Sequence, residues 1–271
     1  MKYNITLLFV FFSLSLMQSQ DLTIGDAINK ASRQRMLAQK MMKCYIMIGT
    51  DTRTKDARKE LDESVALFEE QMLELLDFLP SEKIEKAIEE VQNTWAAYRI
   101  KVVSSPNKVT GSALFKLSDE LVEECDEVVE LLEKYAKVKE AKLVNLAGRQ
   151  SMLSQRIAML YLAYFWKLPK TDAYSELKKA HKEFEATLTD LVASQLNTAE
   201  ITEELNKSVD EWEFSKNNFY VRDTRLMPSV VTVTTNSIMK RMDDITTLYA
   251  DLTSKERNKN SKFNIGSIVK F

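Results

Sequence analysis

INKASRQRMLAQKMM, residues 28–42, and VNLAGRQSMLSQRIA, residues 144–158, lie 116 positions apart and align without a gap. They share Asn29/Asn145, Ala31/Ala147, Arg33/Arg149, Gln34/Gln150, Met36/Met152, Leu37/Leu153 and Gln39/Gln155, seven identities in fifteen. A repeat of this kind decides the fold, because one supersecondary unit present twice stacks on its own copy. Phe184 and Leu191 repeat Phe68 and Leu75 at the same offset. With one extra residue, Trp212, Asp243 and Leu248 repeat Trp95, Asp126 and Leu131, so the duplication covers most of the chain.

Each copy of the segment is apolar on two opposed faces. Ile28, Ala31, Met42 and Ile46 lie on one side of a helical wheel, and Leu37, Met41, Cys44 and Ile48 on the other. Val144, Ala147, Ala158 and Leu162 face away from Leu153, Ile157, Leu160 and Tyr164 in the same manner. A helix apolar all round is buried on both sides. One face serves its own bundle, and the second copy is the nearest partner for the other. Ser32 and Gly148, at equivalent positions, leave room for close backbone approach there.

Only five glycines and four prolines occur in 271 residues, against 29% charged residues, which favours an all-α protein. Pro80, Pro106, Pro169 and Pro228 act as punctuation. Apolar residues at i+3 and i+4 spacing predict helices over about 22–49, 53–79, 81–103 and from 112 onward, then 140–167, 172–195, 199–221 and 228–255. With no breaker after Gly111, the fourth and fifth helices read either as one continuous rod or as two helices broken near Ala136 to Lys142. The expected architecture is two tandem antiparallel four-helix bundles, 21–138 and 139–255, followed by a loose polar tail, 256–271.

Residues 1–20 are different in kind. Lys2 precedes an apolar run from Ile5 to Met17, and Gln18-Ser19-Gln20 lead into Asp21, the layout of a cleavable signal peptide, with an uncleaved anchor as the alternative. No later stretch approaches the ~18 apolar residues of a membrane helix. The mature chain is therefore expected outside the cytoplasm, periplasmic or secreted, and not integral to a membrane. A disulfide between Cys44 and Cys125 is open to an exported chain; both fall inside apolar helical patterns and read as buried free thiols. The formal charge of −2 gives no footprint for nucleic acid.

Arginine and glutamine in so apolar a segment are the candidate site. Arg33 and Arg149 project from equivalent positions, and Arg35 lies beside Ser32 and Gln39. Guanidinium forks suit planar oxyanions, so Arg33, Arg35 and Arg149 are candidate ligands for a small anion, with Gln34, Gln150, Gln39 and Gln155 orienting. The competing reading pairs these arginines with acids of neighbouring helices. His181, the only histidine, lies in the charged run KKAHKEFE and reads as a solvated surface residue. No nucleophile elbow, phosphate loop, metal-binding pair or cofactor motif is present, so no enzyme and no cofactor are expected.

ASRQRMLAQKMMK and AGRQSMLSQRIAM resemble the signature of the type IV pilus methyl-accepting chemotaxis (PilJ-type) sensor domain, close to I-N-x-A-G-R-Q-R-M-L-S-Q-R-M. That domain is related to the periplasmic domain of nitrate/nitrite-responsive sensor kinases. The resemblance implies a helical-bundle sensor in which arginines of the first helix meet across a pseudo-dyad around a small oxyanion. In the kinase relatives the anion-binding arginine aligns with Arg35, whose counterpart in the second copy is Ser151. A symmetric two-arginine clamp at that position is thus not available. The partners implied are a small anionic ligand and a separate membrane-bound signalling protein; a homodimer stays open. A structural or protein-interaction scaffold of the cell envelope is the alternative function.

Overall fold

A computed structural model describes residues 22–221 and 226–268, with side chains described as far as Ser261. Residues 1–20, expected as a signal peptide, lie outside the described residues. Among the described residues eight α-helices follow in order: α1 (Ile24–Gly49), α2 (Thr54–Leu76), α3 (Glu82–Val102), α4 (Lys108–Ala136), α5 (Ala141–Trp166), α6 (Ala173–Val192), α7 (Ala199–Ser215) and α8 (Pro228–Ile268). A 3-10 turn, Lys216–Phe219, ends α7. Among the described residues there is no strand.

Local chemistry sets the helix starts. Thr23, Ser81, Asn107, Asp172 and Thr198 each accept a backbone N–H with the side chain at the N-cap of α1, α3, α4, α6 and α7. Pro228 opens α8, where its missing N–H costs nothing. Of the two readings open for α4 and α5, the broken one is found. Lys137 takes a left-handed conformation (φ 56°) and ends α4, and Lys139-Glu140 turn the chain into α5. No glycine or proline marks this break, so composition does not reveal it.

Helices α1–α4 form one four-helix unit and α5–α8 its repeat. Phe68 stacks on Trp95 at 4.1 Å in the first, and Phe184 on Trp212 at 4.2 Å in the second. Tyr45 accepts the N–H of Asn107 at the start of α4, and Tyr161 accepts that of Met227 at the start of α8. The two units share their first helices: α1 and α5 are the most extensively packed pair in the molecule. They run parallel, since Ser32 meets Gly148, Lys43 meets Gln155 and Gly49 meets Trp166. A Cβ at Gly148 would lie 2.5 Å from that of Ser32, so glycine permits this approach. α8 follows α5 and also touches α1, which places α1 and α5 at the centre of one continuous core.

α8 does not stop near residue 255. It continues as a helix to Ile268, so the stretch expected as a loose tail is helical over most of its length. Arg257 supplies a reason: its guanidinium donates to the carbonyls of Tyr135 (2.8 Å) and Ala136, the open C-terminal end of α4. α8 also passes close to α1, where a Cβ on Gly25 would lie 2.1 Å from the Ala250 carbonyl oxygen.

The braced seam and its two grooves as a candidate functional site

Burial of α1 and α5 on all sides turns their polar residues into a network. Arg35 is fully buried; it pairs with Asp126 of α4 and donates to Asn145 Oδ1 (3.0 Å), the Asn145 carbonyl (3.2 Å) and Ser32 Oγ (3.1 Å). Its Nε has no partner. Burial pushes the guanidinium pKa down, against the pull of Asp126. A charge this deep survives only because it is paired and hydrogen-bonded.

Arg33 and Arg149 do not face one another. Arg33 forms a bidentate pair with Asp243 of α8, at 2.8 and 2.9 Å. Arg149 reaches Asp126 of α4 (3.2 Å) and Glu183 of α6 (2.5 Å). The first-helix arginine of each repeat is therefore held by the fourth-helix aspartate of the other. Asp126 and Asp243 are themselves equivalent positions, so the two braces are pseudo-dyad mates. Of the three motif arginines, Arg35 and Arg149 thus converge on one carboxylate, Asp126, while Arg33 is held apart from them by Asp243.

The glutamines divide likewise. Gln150 donates to the Phe184 carbonyl (3.0 Å), and Gln34 lies 4.0 Å from the Met72 sulfur, each inside its own unit. Gln39 and Gln155 work across the seam. Gln155 accepts from Lys43 (2.8 Å), and Gln39 lies 3.5 Å from Arg156.

Lys43 was not singled out from sequence. It is fully buried and bonds Glu60 (3.1 Å), Gln155 and Asn236 (2.6 Å). Burial raises the Glu60 pKa, but Lys43 and then Lys40 outweigh this and hold it below the ordinary carboxylate value. Lys43 and Asp126 could have been sought as the charges that a helix apolar all round must neutralise.

His181 corrects another expectation. It is 3% exposed, packed against Trp212, Phe219 and Tyr220, and neither ring nitrogen has a partner. Burial lowers its pKa to about 4. Cys44 and Cys125 are buried free thiols, and burial pushes Cys44 up to about 11. No group of three His, Cys, Asp or Glu that could hold a metal occurs among the described residues.

Two solvent-open grooves flank the seam. One, of about 520 Å³, lies between α1, α2 and α8, with Arg33, Met36, Leu37 and Lys40 on one wall and Asn236, Met239, Lys240 and Asp243 opposite. The other, of about 400 Å³, lies between α5, α6 and α4, with Arg149, Met152, Leu153 and Arg156 facing Asp119, Val122, Glu123 and Asp126. From α2 the first takes Glu60, Glu63, Ser64 and Leu67; from α6 the second takes Glu176, Lys179, Ala180 and Glu183. Every lining position of one groove is the repeat counterpart of a position in the other. A further cavity of about 490 Å³ at the end of α5, near Tyr164, Leu168 and Tyr174, carries no motif residue.

The family model described as the type IV pili methyl-accepting chemotaxis transducer N-terminal region, PilJ, matches residues 16–114 and again 136–225. The chain belongs to the PilJ family. It is a sensory-type module carrying two tandem PilJ segments, and the first helix of each PilJ unit is the one that meets its copy at the seam. No curated protein and no solved structure matches the chain. No helix among the described residues is long and apolar enough to cross a membrane.

Proposed function

We propose that this PilJ tandem is an exported, non-enzymatic sensory module that takes a small ligand in the grooves beside the seam and signals to a separate membrane-bound partner. One observation supports this reading above others. The residues kept in both motif copies, Arg33/Arg149, Met36/Met152 and Leu37/Leu153, line the two grooves, where α1 and α5 meet solvent. Each groove is walled by both repeats. A ligand that takes the place of Asp243 at Arg33, or of Asp126 at Arg149, loosens the brace between repeats and changes their relative position. On this reading Arg33 and Arg149 serve one groove each, while Arg35 and the four glutamines hold the frame.

The test is a thermal-shift screen of the mature chain against inorganic anions (nitrate and nitrite included), organic acids, amino acids and polyamines. At least one compound should raise Tm, and the gain should be lost in the Arg33→Ala/Arg149→Ala double variant. A screen in which nothing raises Tm removes the reading.

An envelope scaffold is the second reading, favoured by the carboxylate partner that each motif arginine already has. It requires that the double variant melt lower with no ligand-dependent component, and that cross-linking in the envelope recover a bound protein.

A further inference from the structure

The two grooves share their plan but not their charge. In the α5 groove Arg156 fills an acceptor set made of Asp119 (2.5 Å), Glu176 (3.7 Å) and Gln39. The counterpart set beside α1 is Asn236, Glu60 and Gln155, and it is filled by Lys43, which comes from one helical turn further along. The position equivalent to Lys43 in α5 is Met159, so the second repeat has no such cation. Lys40, the counterpart of Arg156, is displaced from its acceptors and makes no ion pair among the described residues.

Across the α1 groove stands Lys240, which also has no ion pair among the described residues; its counterpart in the other groove is Glu123. The acids of the α1 groove are already engaged: Glu60 with Lys43, Glu63 with Lys59 (3.7 Å) and Asp243 with Arg33. What remains is two ammonium groups without an ion pair among the described residues, Lys40 within the field of Glu60 and Lys240 opposite, beside the partly exposed apolar side chains of Leu67 and Met239. The α5 groove has five acids against three cations, and its Glu123 is the unpaired charge.

We infer that the α1 groove is the ligand site of the pair, and that it takes an organic carboxylate with a short apolar body, held by Lys40 and Lys240. The anionic head meets the two ammonium groups, and the aliphatic part covers the partly exposed Leu67 and Met239, as in a pocket that combines apolar lining with a few placed polar groups. The groove volume of about 520 Å³ suits a small molecule. This inference rests on the sensory reading and names the groove and the ligand class within it.

The experiment is calorimetric titration of the full mature chain with hexanoate at low ionic strength, with hexanamide as the uncharged probe. One hexanoate should bind per chain and hexanamide should not. Lys240→Gln, a change on the exposed side of α8, and Lys40→Gln should each weaken binding at least tenfold. Lys40→Arg should restore most of it, and Lys116→Gln on the outer face of α4 should leave it unchanged. Equal binding of hexanoate to both glutamine variants overturns the proposal. So does a chain that ignores hexanoate while another compound of the thermal-shift panel stabilises it, in which case the sensory reading stands alone. If neither hexanoate nor any panel compound acts, both fall together.

Discussion

Asp126 is the residue on which most of the seam converges, since it neutralises buried Arg35 and also receives Arg149. Removing it strands the buried Arg35 guanidinium, which has no other carboxylate and no solvent, while Arg149 keeps Glu183. Asp126→Ala should therefore cost about 3–5 kcal/mol in urea unfolding, the scale for breaking a buried pair from one side. Arg35→Met, which removes the buried charge and keeps much of the volume, should cost about 1–2 kcal/mol, because Asp126 retains Arg149. His181 gives a separate signature. Its folded-state pKa of about 4 lies below the ordinary 6.5, so the unfolded chain binds the proton first. Its contribution is complete above about pH 6.5 and is lost as pH falls toward 4, up to about 3 kcal/mol in all. In His181→Phe the stability profile should be flatter over that window. The motif arginines were legible as residues needing partners; which acid each would take was not, because 40 acids compete and the choice depends on tertiary placement. His181 was misread because its polar neighbours in sequence point outward while its own position faces Trp212 and Phe219.

At the scale of elements, the helices and their phasing were readable to within a few residues, since caps, prolines and apolar spacing agree. The all-round burial of α1 and α5 was readable too, from two apolar stripes on each helix. The break between α4 and α5 and the extension of α8 were not. Each depends on something outside its own segment: a left-handed lysine in one case, and in the other the docking of Arg257 on α4. Arg257→Ala should lower stability by about 1.5–3 kcal/mol, the scale of a charged hydrogen bond, and should speed amide exchange at the end of α4. The crossing at Gly148 is equally specific. Gly148→Val forces α1 and α5 apart at Ser32 and should cost about 1–3 kcal/mol by overpacking, while Gly148→Ala should be the milder change.

Across the whole molecule, duplication has produced an intramolecular pseudo-dimer. The repeats are not two cores joined by a linker, because their most buried helices lie against one another. Thermal unfolding should thus be one transition by circular dichroism and calorimetry alike, and fragment 21–138 alone should fail to give a cooperative melt, its α1 having lost α5. Two transitions, one per repeat, would show that the halves fold independently. The sequence carried this arrangement as far as the pairing of the twin helices. The asymmetry between Lys43 and Met159, which leaves Lys40 without an ion pair in one groove while the other carries an excess of acids, became visible only once the acceptors around each were known.

The cross-brace itself is measured most directly by a double-mutant cycle on Arg33 and Asp243, the partly buried bidentate pair that joins α1 of the first repeat to α8 of the second. Arg33→Ala, Asp243→Ala and the double variant, compared by urea unfolding, should show a coupling of about 1 kcal/mol. Strictly additive effects of the two substitutions would mean that these residues do not touch, and that the repeats are not interlocked in this way.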